Sequence, residues 1–269
     1  MPAFVRTRSV LRAELASVGG VTSAHRLHEA GALRLRFPNA AGTCEGILLN
    51  TAGGIAGGDH QTLSFTLAEG ARAVITTQAA EKVYRADSDA AEIRNKLVLG
   101  PSAQLAWLPQ ETILFDGARL LRHIDVAIAA DATLTLGEAV VFGRAARGER
   151  VESGQFHDRW RIRRSGRLIL AEDLALSGQI ADRLARPALG RGARAFATIV
   201  HVALDAGHHL AGVRAAVACD DTACEAGVSA WNGMLVARIA GGSPEAVRAA
   251  CGRALGQLLP GQIPRIWCN

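Results

Sequence analysis

Aromatic side chains are scarce in this chain: they make up 4% of its 269 residues, and one of them is a tyrosine. Sugar-binding clefts depend on aromatic rings for contact area, so this composition disfavours a carbohydrate-active enzyme. The sequence also lacks a G-x-S-x-G nucleophile elbow and an H-E-x-x-H metalloprotease motif. The familiar hydrolase motifs are therefore absent.

Long apolar runs are missing as well. No stretch offers about 18 uninterrupted apolar residues, and the basic N-terminal segment has no sustained apolar run, so neither a membrane span nor a signal peptide is predicted. The odd number of widely spread cysteines is typical of reduced thiols, and we expect the protein in the cytoplasm. These cysteines are Cys44, Cys219, Cys224, Cys251 and Cys268.

A catalytic interpretation would have to use carboxylates. Paired carboxylates in a β-rich protein could hydrolyse glycosides, and this remains the alternative function. The sequence gives no pairing among the candidates, so we expect no enzyme. The carboxylates in apolar or turn-rich contexts are Asp59, Glu81, Glu111, Asp116, Glu138 and Glu172.

Permanent metal binding finds no support in the spacing of the ligand residues. The eight histidines are scattered, and Cys219 and Cys224 have no second pair at a spacing typical of structural zinc. His208 and His209 follow Gly207, and we interpret them as a polar turn. No tightly held metal ion is predicted.

Glycine is concentrated in the segment EGILLNTAGGIAGGD, residues 45–59. Its four glycines permit a sharp turn or the close approach of another backbone. The segment has neither the Lys-Ser/Thr ending of a P-loop nor the G-x-G-x-x-G spacing of a dinucleotide site. The following QTLSFTL alternates like a strand, whereas a phosphate loop opens a helix. A structural loop is favoured over a phosphate site.

Alternation of apolar and polar residues dominates the rest of the chain and predicts a mainly β architecture. Short runs of this kind are separated by Gly, Pro, Asn or Asp, and no βα repeat appears. The runs are LRLRF at 33–37, QTLSFTL at 61–67, EIRNKLVL at 92–99, HIDVAI at 123–128, TLTL at 133–136 and FATIVHVAL at 196–204.

Helical signals are confined to the C-terminal part. Residues 243–261 are predicted to form a helix, with Ser243 as N-cap and Pro244 at the first helical position. A second helix is predicted at 220–231, capped by Asp220 or Asp221. Because no shift in composition marks a boundary, we expect a single domain over residues 1–269.

The chain carries a net charge of +5, which suggests an acidic partner or nucleic acid. In the basic segment RWRIRRSGR at 159–167, the apolar Trp160 and Ile162 alternate with the arginines. The rings would point away from the arginines, which indicates a half-buried strand with a solvated basic face. A nucleic-acid surface would place the aromatic rings beside the arginines, so no nucleic-acid partner is predicted.

Five segments in order resemble the family of urease accessory proteins called UreD, or UreH in some bacteria. They are NTAGGIAGGD at 50–59, TTQAAEKVYR at 76–85, LPQETILFDGA at 108–118, GRAARGE at 143–149 and PRIWCN at 264–269. The resemblance runs from about residue 33 to the C-terminus. The second segment departs from the family pattern, which has a small or hydroxylated residue near Glu81.

The resemblance implies a layered, β-helix-like fold of many strands with a few helices near the C-terminus. It also implies a nonenzymatic scaffold that joins UreF and UreG to the urease apoprotein, without a membrane partner. An internal passage would carry Ni²⁺ towards the urease active site, and GTP hydrolysis would belong to UreG. Ni²⁺ would bind transiently, and no cofactor would be held permanently.

Three acidic residues are the candidates for lining such a passage. By motif, Asp59 is the first, Glu172 in LILAEDLAL is the second and Glu138 in LGEAVVFGR is the third. For each of them a surface carboxylate or a turn cap is the competing interpretation.

A partner surface is predicted at the C-terminal end of the chain, where apolar residues cluster. A role in the core is the competing interpretation for each of them. The residues are Leu258, Leu259, Ile263, Ile266 and Trp267.

Overall fold

The computed structural model describes residues 6–38, 44–218, 223–261 and 263–267. Two β-sheets face each other. The strands of the first sheet are β1 (Arg8–Val18), β2 (Val21–Ala30), β5 (His60–Leu67), β8 (Ala91–Leu99), β11 (Arg119–Ile128), β13 (Ser153–Arg164) and β14 (Arg167–Gln179). Their order across the sheet is β14-β13-β11-β8-β5-β1-β2.

The second sheet takes the other ten strands, of which the first seven lie between strands of the first sheet in the sequence and the last three follow β14. They are β3 (Leu33–Arg36), β4 (Cys44–Asn50), β6 (Arg72–Thr77), β7 (Glu81–Val83), β9 (Gln104–Leu108), β10 (Thr112–Leu114), β12 (Thr133–Phe142), β15 (Ala195–Val202), β16 (Cys224–Trp231) and β17 (Met234–Gly241). The main order is β16-β17-β15-β12-β9-β6-β4-β3, and β10 bridges β12 and β7.

Parallel pairing in both sheets arises because the chain coils. It alternates between the sheets, so that β5, β8, β11 and β13 pair in parallel in the first sheet. In the second sheet β4, β6, β9 and β12 pair in parallel in the same way. Each turn of the coil thus adds one strand to each sheet. The predicted mainly β, β-helix-like class is confirmed.

Apolar side chains form two cores, one on each face of the second sheet. The larger core fills the space between the sheets and contains Phe65, Ile124 and Val200. The smaller core lies between the second sheet and the helices and contains Ile199 and Leu255. Ile199 and Val200 face opposite sides because successive strand residues alternate.

Three α-helices lie in the described part of the chain: α1 (Ile180–Ala185), α2 (Leu210–Val217) and α3 (Pro244–Leu258). The predicted cap of α3 is confirmed, because the Ser243 hydroxyl accepts a hydrogen bond from the Ala246 N–H at 3.2 Å. The buried face of α3 includes Val247, Cys251 and Leu255. Among the described residues no helix has the length and apolarity needed to span a membrane.

The helix predicted at 220–231 is wrong. Residues Cys224–Trp231 form β16, which pairs antiparallel with β17, while residues 220–222 lie outside the described residues. The small residues of this segment fit either structure, and pairing with β17 decides between them. The expectation of reduced thiols is also wrong for Cys224, which is disulfide-bonded. An odd number of cysteines does not prevent one pair from forming.

The alternating segments occur as predicted. The basic segment forms the end of β13, in which Phe156, Trp160 and Ile162 are buried while Arg159 and Arg163 are exposed. The solvated basic face of this strand is therefore confirmed.

The glycine-rich loop connects β4 to β5. Its glycines allow another part of the backbone to approach closely. A Cβ at Gly57 would lie 2.6 Å from the Asp89 carbonyl oxygen, so a larger residue would push the neighbouring loop away. Gly58 has a φ of 81°, in the region that favours glycine. The loop thus packs directly on the chain that follows β7.

Candidate functional site: a buried polar layer between the sheets

Polar side chains interrupt the apolar core between the two sheets. Gln61, Asn95, Arg122 and Asp158 project inward from four neighbouring strands of the first sheet, and all are at least 93% buried. Arg122 pairs in register with Asp158, Gln61 lies at the same level, and Asn95 lies two residues further along its strand. We call these residues, together with Glu138 of β12 in the facing sheet, the polar layer.

Arg122 is the centre of the polar layer. Its Nε and Nη2 atoms donate to the two carboxylate oxygens of Asp158 at 2.9 and 2.5 Å. Its Nη1 atom forms an ion pair with Glu138 Oε2, and the Thr112 hydroxyl lies 3.3 Å away. The Trp107 indole N–H donates to Glu138 Oε1 at 2.9 Å. One guanidinium thus links the two sheets.

Burial and charge act in opposite directions in this cluster. Burial raises the pKa of Glu138, and the attraction of Arg122 offsets this only in part. For Arg122 burial disfavours the charge, but the carboxylates of Asp158 and Glu138 outweigh it and raise the pKa of the guanidinium. Arg122 therefore stays charged at every accessible pH.

The hydrogen bonds limit the chemistry available here. Every carboxylate oxygen of Glu138 and Asp158 already accepts from an N–H donor. Neither carboxylate has an unbound oxygen with which to serve as a general base or nucleophile. A metal cation could reach these oxygens only by displacing the Arg122 guanidinium.

Two cavities flank the polar layer. The first has a volume of about 240 Å³ and is lined by Gln61, Asn95, Glu81, Arg122 and Glu138, among others. The second has a volume of about 480 Å³, and its lining includes Asp158, Glu172, Thr198 and Arg238. The Arg122–Asp158 ion pair therefore lies between the two cavities.

Two polar atoms beside the first cavity lack partners. Within the described residues, the buried Asn95 Oδ1 and Gln110 Nε2 atoms make no hydrogen bond. Both residues line the cavity, and an orphaned buried polar atom is costly unless water or an ion completes it. The first cavity is therefore polar enough to hold water or a hydrated cation.

Glu81 lines the first cavity and is half-buried. The Asn50 side-chain amide donates to its two carboxylate oxygens at 3.2 and 3.1 Å. Burial nevertheless raises the pKa of Glu81 from 4.5 to about 7, because the amide only partly replaces the lost hydration. Glu81 thus changes charge close to neutral pH.

Replacing Glu81 by Gln is expected to flatten the pH dependence of folding stability. The folded-state pKa lies above the unfolded value, so the stabilisation is complete below pH 4.5 and is lost as pH rises towards about 7. The expected loss is about 1–3 kcal/mol, after discounting for partial exposure. Urea unfolding at pH 5 and 7.5 measures it. The exposed Glu69→Gln variant should keep the wild-type slope, and a wild-type slope in Glu81→Gln would contradict the assignment.

The three predicted acidic residues occupy different surroundings. Glu138 lines the first cavity and belongs to the polar layer. Glu172 lines the second cavity and forms an ion pair with Arg238 of β17. Asp59 is buried but lines neither cavity: its oxygens accept from the Thr7 and Ala56 N–H groups at 2.7 and 2.8 Å. Asp59 therefore ties the glycine-rich loop to the start of β1.

The residues predicted to meet a partner lie where the C-terminal segment packs under α3. Leu258 and Trp267 are buried in the smaller core, and the Trp267 indole N–H donates to the Leu108 carbonyl at 2.9 Å. Leu259, Ile263 and Ile266 are half-buried against the same core. All five residues therefore contribute to the smaller core. Contact with a partner stays a prediction for the three that are half-buried.

Sequence reasoning missed Gln61, Asn95, Arg122 and Asp158. The sequence does hold a signal for them, because each stands two residues from buried apolar residues of its own strand and so points to the same side. Arg122, for example, stands between the buried Leu120 and Ile124. A polar residue at an inward position of an alternating strand is the pattern that could have found them.

Comparison with known protein families adds an independent line of evidence. Residues 7–268 match the family described as UreD urease accessory protein. A protein of Methylobacterium sp. (strain 4-46) named urease accessory protein UreD is 51% identical over 93% of this chain and 90% of its own length. One of the same name from Beijerinckia indica is 49% identical over 97% of both chains. Taken with the five sequence segments and the coiled β fold, these matches show that the chain belongs to the UreD family of urease accessory proteins.

Proposed function

We propose that this chain is a nonenzymatic scaffold of urease maturation, with an internal route by which Ni²⁺ moves towards the urease apoprotein. The observation that carries the proposal is the polar layer, with a cavity on each side of it. Burying polar and charged groups costs free energy, and apolar residues could fill the same space. The presence of these groups between the sheets therefore favours a functional role for them.

The lining chemistry suits a cation that must be released again. The two cavities present carboxylate, amide and hydroxyl oxygens, from which a divalent ion can exchange ligands with water. Two acids of this lining, Glu138 and Glu172, lie on opposite sides of the Arg122–Asp158 ion pair. In this proposal Arg122 swings aside for the ion, because both compete for the same carboxylates.

The proposed partners are UreF and UreG on one side and the urease apoprotein on the other. Ni²⁺ released on GTP hydrolysis by UreG would enter the scaffold without mixing with bulk solvent. The GTP chemistry belongs to UreG, since this sequence contains no P-loop. In this proposal the complex works in the cytoplasm.

The proposal is tested by co-expression. The tagged chain is produced with UreF, UreG and the urease subunits, the complex is purified, and urease activity is measured after nickel addition with and without this chain. A complex together with activation that depends on the chain supports the scaffold. Unchanged activation on omission of the chain, with no partner bound, would overturn it.

Replacing Glu172 by Ala is expected to lower urease activation while the chain still folds and binds UreF. The neighbouring Asp173 is the matched control, because it is exposed and pairs with His157 at 2.5 Å instead of lining the cavity. Activation assays on the Glu172→Ala and Asp173→Ala variants in the reconstituted complex compare the two. Equal activation by both would remove Glu172 from the route.

Replacing Asp59 by Ala is likewise expected to lower activation, but here lost stability contributes. Two backbone N–H groups lose their acceptor, at a cost of about 1–3 kcal/mol each. Urea unfolding of Asp59→Ala therefore accompanies its activation assay. Normal activation by both Asp59→Ala and Glu172→Ala would refute an acidic route.

A further inference from the structure

A second cluster of metal-binding residue types lies outside the polar layer, at the end of β15. His201 belongs to β15, Asp205 to the turn that follows, and His209 ends a short 3-10 turn at Ala206–His209. One potential ligand atom from each residue lies within 4.8 Å of the other two. The fold thus brings two histidines and an aspartate together, although the spacing of the histidines in the sequence did not predict such a group.

Local structure explains why these residues meet. Hydrogen bonds from the Ala206 N–H to the Ala203 carbonyl, and from the His208 N–H to the Asp205 carbonyl, close the turn. Asp205 precedes the turn and His209 ends it, and their side chains meet, with 3.9 Å between Asp205 Oδ2 and His209 Nε2. The His209 ring lies edge-on to His201, with ring centres 5.4 Å apart.

The surroundings of His201 prepare it as a ligand. Its Nδ1 atom lies 2.9 Å from the Thr135 hydroxyl, which leaves Nε2 as the other ring nitrogen. A hydrogen bond that fixes one ring nitrogen while the other binds metal is the usual arrangement around metal-bound histidine.

The donor set selects a class of ion. Two imidazoles and one carboxylate suit borderline divalent ions such as Zn²⁺ and Ni²⁺ rather than Mg²⁺ or Ca²⁺, which prefer oxygen ligands. Ligands about 2 Å from a tetrahedral ion lie roughly 3.3 Å apart, so modest side-chain movement closes the cluster. Asp205 and His209 can make that movement, because their side chains are 61% and 31% exposed.

We propose that His201, Asp205 and His209 bind one divalent transition-metal ion, with water completing its coordination. The bound ion would fasten the end of β15 to the start of α2. His201 lies among the residues that face the helices, whereas the polar layer lies between the sheets. The site is therefore separate from the proposed nickel route, and either proposal can fail without the other.

Metal titration of the full chain tests the site, with His209→Ala as the main variant. His209 is partly exposed, so its replacement avoids the cavity that truncation of the buried His201 would create. The matched control is His208→Ala, since His208 is the adjacent residue of the same type outside the cluster. Metal-free protein is titrated with ZnCl₂ and, separately, with NiCl₂ by calorimetry, and its unfolding temperature is measured with and without each ion.

We expect the wild-type protein and His208→Ala to bind the ion with equal affinity and to gain thermal stability from it. In His209→Ala and Asp205→Ala the Kd of this site should rise by about tenfold or more, as even outer-shell changes do at metal sites. The thermal gain should also shrink in both variants. Equal affinity in His209→Ala and His208→Ala, or the absence of binding by the wild-type protein, would overturn the proposal.

Discussion

Replacing Arg122 by Met is expected to lower the free energy of unfolding by about 3–5 kcal/mol, as removal of one partner of a buried ion pair usually does. Methionine fills much of the same volume, but among the described residues it leaves Asp158 with no donor for either of its oxygens. Within the same part of the chain, Glu138 keeps only the bond from the Trp107 indole. Urea unfolding at pH 7 measures the loss.

Arg119 on the same strand is the matched control for this substitution. It is exposed and pairs with the Gln155 side chain, so Arg119→Met should cost about 1 kcal/mol or less. A triple variant that adds Glu138→Gln and Asp158→Asn to Arg122→Met should recover part of the loss, because the uncompensated charges are gone. An Arg122→Met variant as stable as Arg119→Met would show that the polar layer does not depend on its central charge.

The strands of this fold could be predicted from the sequence because coiling leaves a simple pattern. The inner strands of the first sheet bury one face in the larger core, so burial alternates along segments such as β5 and β8, whereas β15 is buried on both faces between the two cores. The pattern does not reveal which strands become neighbours. The helix predicted at 220–231 failed for that reason, since pairing with β17 made Cys224–Trp231 a strand.

The candidate site was predictable only in part. Motif resemblance selected Glu138 and Glu172, which the structure places beside two separate cavities. It also selected Asp59, whose carboxylate holds a backbone turn. The pairing of Arg122 with Asp158 joins residues 36 positions apart, and no local pattern specifies that register. Local periodicity shows which residues point inward but not which of them meet.

The position of Arg122 creates a conflict between stability and the proposed transport of Ni²⁺. The bonds that stabilise the polar layer also fill the oxygens that a passing cation would need. Burial also raises the pKa of Glu138, and the attraction of Arg122 offsets this only in part. A route that passes through the layer must therefore open it briefly, whereas a route confined to the first cavity need not.

Filling the first cavity distinguishes an internal route from a scaffold that works through its surface alone. Ala80 lines this cavity and is half-buried, so the indole of a Trp at this position is expected to fill part of the cavity. Ala127→Trp is the matched control, because Ala127 lies on the exposed face of β11 and lines neither cavity. Both variants should be purified with UreF, UreG and the apoprotein before activity is compared.

The Ala80→Trp complex is expected to assemble fully, yet to activate urease only to the level seen without this chain. In the proposed route, a blocked interior would stop delivery of Ni²⁺ even when every partner is in place. Ala127→Trp should activate like the wild-type protein. Full activation by Ala80→Trp in an intact complex would exclude the first cavity from the route. Urease activity and nickel content, measured on the same purified complex, separate failed delivery from failed assembly.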